Sequence, residues 1–312
     1  MKGAKKLVEE LANVQPGEKV LVVTDTNKIN IAEAVSAAAY QRGAEVVISV
    51  MTPRKRVGSH SEKVPEMVTA AMKTADVIFG PTTDSITSSI RQGCKPGARG
   101  LSMGAWTEEM LYQGGINADF LHVKQNVIPK LVKELRKSEV LDVTAPGGTK
   151  IKVKIKETVA LDGTALEPNV VSPTPDIEVL NRPVTGTAEG TIVVDGAICI
   201  YPELGPIWDN VTVDVRGGVI RKVSGGREAK ILEKMLKELA DPQVYTLAEV
   251  SIGLNPESKI CGNYFEDEGA YRTMHFGFGG EAVGGLAHVD VVILDPTIRA
   301  DGRIILRDGE PI

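Results

Sequence analysis

Aromatic residues are scarce in this 312-residue chain: five Phe, six Tyr and two Trp make up 4% of it. Any core must therefore be built from Val, Ile, Leu and Ala. Histidine is scarcer, at four residues, and cysteine numbers three. Cys94, Cys199 and Cys261 stand far apart without C-x-x-C spacing, which excludes a disulfide framework and points to a reducing compartment. No apolar run reaches the roughly 18 residues that suggest a membrane span. Lys2, Lys5, Lys6, Glu9 and Glu10 interrupt any secretory stretch at the start, so the expectation is a cytoplasmic protein. A formal charge of −5 gives no electrostatic reason to expect nucleic acid as a partner. Nucleotide and serine-hydrolase fingerprints are missing too. TDTNKIN stands where a G-x-G-x-x-G turn would open the first crossover, and there is no Walker lysine motif and no G-x-S-x-G elbow.

What is present is a change of pattern along the chain. Through the first half, continuous apolar runs at 18–24, 45–50, 76–80 and 97–103 alternate with helical patterns at about 30–42, 62–74, 82–90 and 124–137. Asn30 with Glu33 reads as a capping box for the first of these helices, which ends at Gly43. Such alternation predicts an α/β domain with a mostly parallel sheet. From 139 to 156 the period becomes two around the turn APGG, predicting a hairpin with Lys150, Lys152, Lys154 and Lys156 on one face and Ile151, Val153 and Ile155 on the other. Residues 162–190 are rich in Pro, Gly, Thr and Asp and read as loop. Strands are expected at 191–195, 211–215, 219–223, 244–252, 288–294 and 303–307, with one amphipathic helix over 227–240. The expected organisation is therefore an α/β domain over 1–138 and an α+β, mostly antiparallel, metal-binding catalytic domain over 139–312.

Polar residues concentrate in the second of these. His288 and Asp290 open an apolar strand and, at period two, point to one side of it. With His275 upstream they can hold a divalent metal, since imidazole nitrogen and carboxylate oxygen suit zinc, manganese, cobalt or non-haem iron. The alternative for His288 is a strand-start histidine bonded to a carbonyl. Gly277, Gly279, Gly280, Gly284 and Gly285 permit tight turns or a close backbone approach around the two histidines. Glu249 lies inside an apolar strand, either facing solvent or buried and paired. Glu266-Asp267-Glu268 is a solvated face or the source of a base or second metal ligand. Pro53-Arg54-Lys55-Arg56, close to Ser59 and His60, is a solvated loop or an anion-meeting sheet edge. Cys94 reads as structural.

AEVSIGLNP (248–256), FEDEGAYRTMHFGFG (265–279), HVDVVILDP (288–296) and IEVLNRPVTGTAEGTIVVDGAI (177–198) resemble the thermophilic metalloaminopeptidases of the aminopeptidase T type. That superfamily also includes 2,5-dihydroxypyridine dioxygenase-like members. The resemblance implies metal ligands at Glu249, Glu268, His275, His288 and Asp290, with Glu178 and Glu268 catalytic. It implies an aminopeptidase-like hydrolase of small peptides or amides, carrying Zn, Co or Mn, and a homodimer. Departures stand beside it: Ala282 occupies the position of a family tyrosine, the D-E-K segment reads DEGAYRT, and Ser88-Ser89 replaces a His-Thr pair. The alternatives are a mononuclear Fe(II) ring-cleaving dioxygenase, for which His275, His288 and Asp290 supply two histidines and an aspartate, and a divergent non-peptidase member, a non-enzymatic or binding descendant in which the departures are decay.

Overall fold

The computed structural model describes residues 2–57, 60–113, 120, 122–199 and 204–312. The chain divides into two compact units. One comprises Met1–Arg56, His60–Asn117 and Asp162–Pro175; the other comprises Val57–Ser59, Ala118–Leu161 and Asp176–Ile312.

The first unit is an α/β layer structure. Its sheet uses β1 (Lys19–Asp25), β2 (Glu45–Met51), β3 (Val77–Thr82), β4 (Arg99–Gly104) and β5 (Val171–Pro173), in the spatial order β2-β1-β3-β4-β5. Every pairing is parallel. The inner strands read as unbroken apolar runs because both faces are covered. The helix Ile29–Gln41 buries Ile31, Ala32, Val35, Ala38 and Ala39, small side chains that allow close packing on a sheet. Its start corrects the capping-box expectation. The N-cap position is Lys28, and Asn30, inside the first turn, donates instead to Glu108 Oε1 at 2.7 Å. Arg99 ties the chain entry to β1: Nη1 and Nη2 reach Glu18 at 2.7 and 2.8 Å, while Nε and Nη2 donate to the carbonyls of Ala12 and Asn13. The basic run is neutralised locally. Arg54 pairs with Glu62 and Arg56 with Asp84; Ser59 lies outside the described residues.

The second unit is an α+β, largely antiparallel structure built on a 13-stranded sheet. The predicted hairpin is Val140–Thr144 with Lys150–Asp162, its lysines exposed and Ile151, Val153 and Ile155 buried. The helix Arg227–Glu238 buries Ala229, Leu232, Met235 and Leu236. The loop expected over 162–190 is corrected: it contains β5 and the start of Glu189–Val194, and between them β6 (Ile177–Pro183). The prolines there bound short strands rather than forbidding them, a place where proline is tolerated. β6 begins a four-strand run with β7 (Leu247–Gly253), β8 (Thr273–Gly279) and β9 (His288–Leu294), each antiparallel to the next. A strand over 273–279 was not among the expected elements. Among the described residues no helix is long and apolar enough to cross a membrane.

Candidate metal centre

The four strands β6 to β9 place most of their apolar and their ionisable side chains on opposite faces. Val179, Val250, Ile252, Met274, Phe276, Phe278, Val289, Val291 and Ile293 are all buried, and period two places them on one side of the sheet. The alternate positions carry Glu178 and Arg182 on β6, Glu249 and Ser251 on β7, His275 and Gly277 on β8, and His288 and Asp290 on β9. Register aligns them in rows. Ser251 pairs with His275, Glu249 with Gly277, and Gly277 in turn with Asp290. Opposed residues of antiparallel strands project to the same face, so side chains distant in sequence converge over Gly277.

Gly277 is what makes the convergence possible. A Cβ there would lie 2.7 Å from His288 Cε1, 2.8 Å from Asp290 Oδ1 and 2.9 Å from Glu249 Cβ. Of the two uses expected for glycines in this segment, turn or close approach, Gly277 serves the second.

His275 sits at the middle of the cluster. Its Nδ1–H donates to the main-chain carbonyl of Glu268 at 3.0 Å, which fixes the ring and turns Nε2 toward the carboxylates. Nε2 lies 3.3 Å from Glu178 Oε2, 3.3 Å from Glu249 Oε1 and 4.0 Å from Asp290 Oδ1. His288 Nε2 is 2.9 Å from Asp290 Oδ1, and its Nδ1 reaches the Gly279 carbonyl at 3.4 Å. Glu249 Oε1 also accepts from Ser251 Oγ at 3.0 Å, and its Oε2 pairs with Arg182 Nη1 at 3.3 Å. Five of the six expected residues therefore come together: Glu178, Glu249, His275, His288 and Asp290. The sixth, Glu268, lies on the short helix Tyr264–Gly269 and offers its carbonyl to His275; its carboxylate oxygen Oε1 is buried. The sequence reading passed over Asp176, Arg182 and Ser251. Asp176, Glu178 and Arg182 share the period of one strand face, a signal hidden by the loop reading of that segment.

The electrostatics are those of a carboxylate cage without enough positive charge. Burial and the surrounding acids push Glu178 well above the usual carboxylate range. They push Glu268 up likewise, through burial and then Asp290, Asp176, Glu178 and Glu249. Asp176 rises to about 7, chiefly by burial. Glu249 moves the other way: its burial is outweighed by the hydrogen bond and charge of His275, with His288 and Arg182, and it falls to about 2. Burial opposes protonation of both histidines, but the acids prevail. His275 is driven well up, chiefly by Glu178, and His288 to about 9, chiefly by Asp290.

These residues fit a divalent cation. Asp176 Oδ1, Glu178 Oε2 and Glu268 Oε1 are buried without a hydrogen-bond partner among the described residues, a costly state that a cation relieves. Glu178, Glu249 and His275 present one nitrogen and two carboxylate oxygens, all within 4.8 Å of one another. Two ligands about 2.1 Å from one ion at right angles stand about 3 Å apart, close to the 2.9 and 3.3 Å separations here. The donor set is that of a mononuclear divalent metal site, Fe(II) included.

Comparison with known proteins corrects the hydrolase expectation. A family model described as NicX, 2,5-dihydroxypyridine 5,6-dioxygenase, matches residues 4–312. The 2,5-dihydroxypyridine 5,6-dioxygenase of Pseudomonas putida KT2440 is 25% identical over 194 residues, which cover 57% of this chain and 55% of that protein. The aligned stretch thus spans little more than half of that relative. The solved 2,5-dihydroxypyridine dioxygenase from Pseudomonas putida KT2440 has the same fold, with a TM-score of 0.83 at 19% identity over 99% of this chain and 96% of that one. AmpT from Thermus thermophilus superposes less well, with a TM-score of 0.68 at 16% identity over 100% and 98% of the two chains. Hydrolase, aminopeptidase and metalloprotease are therefore the wrong descriptions, and the aminopeptidase T type is not the family of this chain. The local chemistry agrees. The compact donor group is of single-ion size. This chain belongs to the 2,5-dihydroxypyridine 5,6-dioxygenase family.

Proposed function

We propose that the protein is a mononuclear non-haem iron(II) dioxygenase that cleaves a small dihydroxylated heteroaromatic ring. The observation that carries this reading is the convergence of two histidines with the buried carboxylates of Glu249 and Asp290, at 2.9 to 4.0 Å between neighbouring donor atoms, in a chain of this family. In the proposal His275, His288, Asp290 and Glu249 hold the ion. Bound iron(II) supplies the redox-active centre through which dioxygen and an electron-rich ring react.

The remaining work falls to the chain itself. The Glu268 carbonyl keeps His275 in the tautomer whose Nε2 faces inward. Ser251 and Arg182 restrain the two oxygens of Glu249 separately, so that its carboxylate cannot rotate freely. Glu178, with its proton held by burial and neighbouring acids, is the group assigned to exchange a proton with a ring oxygen at Oε2. The apolar face of β6 to β9 anchors these groups on strands, which limits their drift. Glu178→Gln is expected to keep the metal and lose turnover. In this proposal the protein acts in the cytoplasm as a homodimer, supported by the wide sequence separation of its three cysteines and by the exposed apolar side chains Tyr40, Val47 and Val50.

The test is anaerobic reconstitution with Fe(II), elemental analysis and oxygen uptake on 2,5-dihydroxypyridine. One iron per chain with substrate-dependent oxygen consumption is the expected result. Two tightly bound zinc ions per chain, or iron loading without oxygen consumption on any dihydroxylated ring, overturns the proposal.

A further inference from the structure

Exposure differs sharply among the side chains of the metal centre. Glu178, His275 and Asp290 are 2 to 3% exposed, Glu249 is 11%, His288 is 14% and Arg182 is 33%. Arg182 is thus the most solvent-accessible of these side chains while still touching the Glu249 carboxylate.

Arg182 is also incompletely used. Among the described residues its one hydrogen bond runs from Nη1 to Glu249 Oε2 at 3.3 Å. A guanidinium carries five N–H donors in a planar fork, so Nε and Nη2 remain for a second anion. Its surroundings give that capacity a purpose. Asp176, Glu178, Glu249, Glu268 and Asp290 crowd one strand face and the helix beside it. Glu249, the carboxylate beside Arg182, opposes an anionic ring by like charge unless the guanidinium balances it. Arg182 carries a permanent positive charge there, whereas the histidines are spoken for by Glu178, Glu249 and Asp290.

We propose that Arg182 is a specificity-determining residue that receives an oxyanion on the ring of the substrate, either a ring carboxylate or an ionised hydroxyl, while keeping Nη1 on Glu249. This inference rests on the ring-substrate reading above and narrows it to rings that present a planar oxygen anion toward Arg182. Arg182 thereby selects for the charge of the ring, and its fork sets which edge of the ring points inward.

The experiment is anaerobic calorimetric titration of Fe(II)-loaded wild type, Arg182→Met and Arg182→Lys with three probes. These are 6-hydroxynicotinate, a carboxylate; 2,5-dihydroxypyridine, which can ionise a second hydroxyl; and 2-hydroxypyridine, which is neutral. Iron content per chain is measured in parallel. Loss of a charge-assisted hydrogen-bond pair is expected to weaken binding of the anionic ring by about tenfold to a hundredfold in Arg182→Met. Binding of 2-hydroxypyridine should change by less than about threefold, iron content should be unchanged, and Arg182→Lys should fall between. A selective loss on 6-hydroxynicotinate identifies a carboxylate, and one on 2,5-dihydroxypyridine that grows as pH rises identifies an ionised hydroxyl. Equal losses on all probes, or iron loss from Arg182→Met, reduce Arg182 to a restraint on Glu249 and overturn the proposal. Unchanged binding overturns it as well. Should Arg182→Met fail to fold, Arg182→Lys decides: undiminished preference for the anionic probes refutes the fork. If wild type loads iron and binds no ring, the dioxygenase reading itself fails, and this proposal with it.

Discussion

Replacing Gly277 by alanine tests the arrangement of the metal centre with one methyl group. Gly277 is not in the left-handed region that favours glycine, so the added Cβ meets no backbone penalty. Its cost is steric and local. Contacts of Cβ with other atoms normally begin near 3.4 Å, whereas this one would stand 2.7 Å from His288 Cε1 and 2.8 Å from Asp290 Oδ1. Each must retreat by about 0.7 Å, and Glu249 Cβ, 2.9 Å away, by a little less. Three groups of the cluster move together, and the 2.9 Å pairing of His288 with Asp290 is lost or distorted. A misplacement of about 1 Å at a reacting centre can lower activity about a hundredfold. Inserting a methyl group into a packed site costs about 1–3 kcal/mol. The expected Gly277→Ala protein is therefore folded, a few degrees less stable, at least about tenfold weaker for metal, and about 10- to 100-fold slower. Thermal unfolding without metal, chelator competition for Fe(II) and oxygen uptake measure these separately. Gly93→Ala serves as a control, because its Cβ would meet the flexible Met72 Sδ at 2.8 Å in the other unit. It should cost some stability and leave metal affinity alone. A Gly277→Ala protein with metal affinity and oxygen uptake within about twofold of wild type would refute the convergence of these side chains over residue 277.

Three further outcomes follow from the same contacts. His275→Ala should lose metal by well over about tenfold while circular dichroism stays native; retention of stoichiometric iron would remove His275 from the centre. Metal affinity should rise with pH from about 7 to at least about 9. His288 holds its proton up to about 9 without metal, a ligand imidazole must be neutral, and each ion bound below that pH displaces the proton; a flat profile in chelator titrations between pH 7 and 10 would contradict this assignment. Arg99→Met, in the first unit, should destabilise by about 2–4 kcal/mol in denaturant titrations, since Glu18 and two carbonyls lose their donor; a loss under about 1 kcal/mol would show that water replaces the guanidinium.

The parallel sheet of the first unit was legible because buried strands read as unbroken apolar runs, and the hairpin because Lys and Ile alternate around a glycine turn. The centre was legible in its residues but not in its scaffold. β8 reads TMHFGFG, a period-two strand with Thr273, His275, Gly277 and Gly279 on one face. Its glycines read equally as turn signals or as close-approach positions, since glycine weakens a strand unless something must approach it closely. Here His288, Asp290 and Glu249 do. β6 was hidden differently. Asp176, Glu178 and Arg182 look like solvated loop residues until the antiparallel partner β7 is known, and the pairing of Glu178 with Gly253 is set 75 residues away in sequence. The choice between hydrolase and dioxygenase was the least legible part. The same acids and histidines serve either chemistry, and separations of a few tenths of an ångström to one ångström, absent from a linear pattern, decide how many ions they gather around.

The hydrogen bond from His275 to the carbonyl of Glu268 has a consequence for how this centre tolerates change. The acceptor is a main-chain atom, so every amino acid at position 268 supplies it provided the turn of the Tyr264–Gly269 helix keeps its place. Side-chain scanning at 268 therefore reports on the buried carboxylate alone and is blind to the contact that orients the ring. That contact depends on what seats the helix: Asn263 capping it through Phe265 N, and Asp267 receiving the amides of Cys261 and Gly262. Position 268 can therefore change in identity while its carbonyl stays fixed in space, and the residues that keep it fixed, Asn263 and Asp267, hydrogen-bond to main-chain amides rather than to the acids and histidines of the centre.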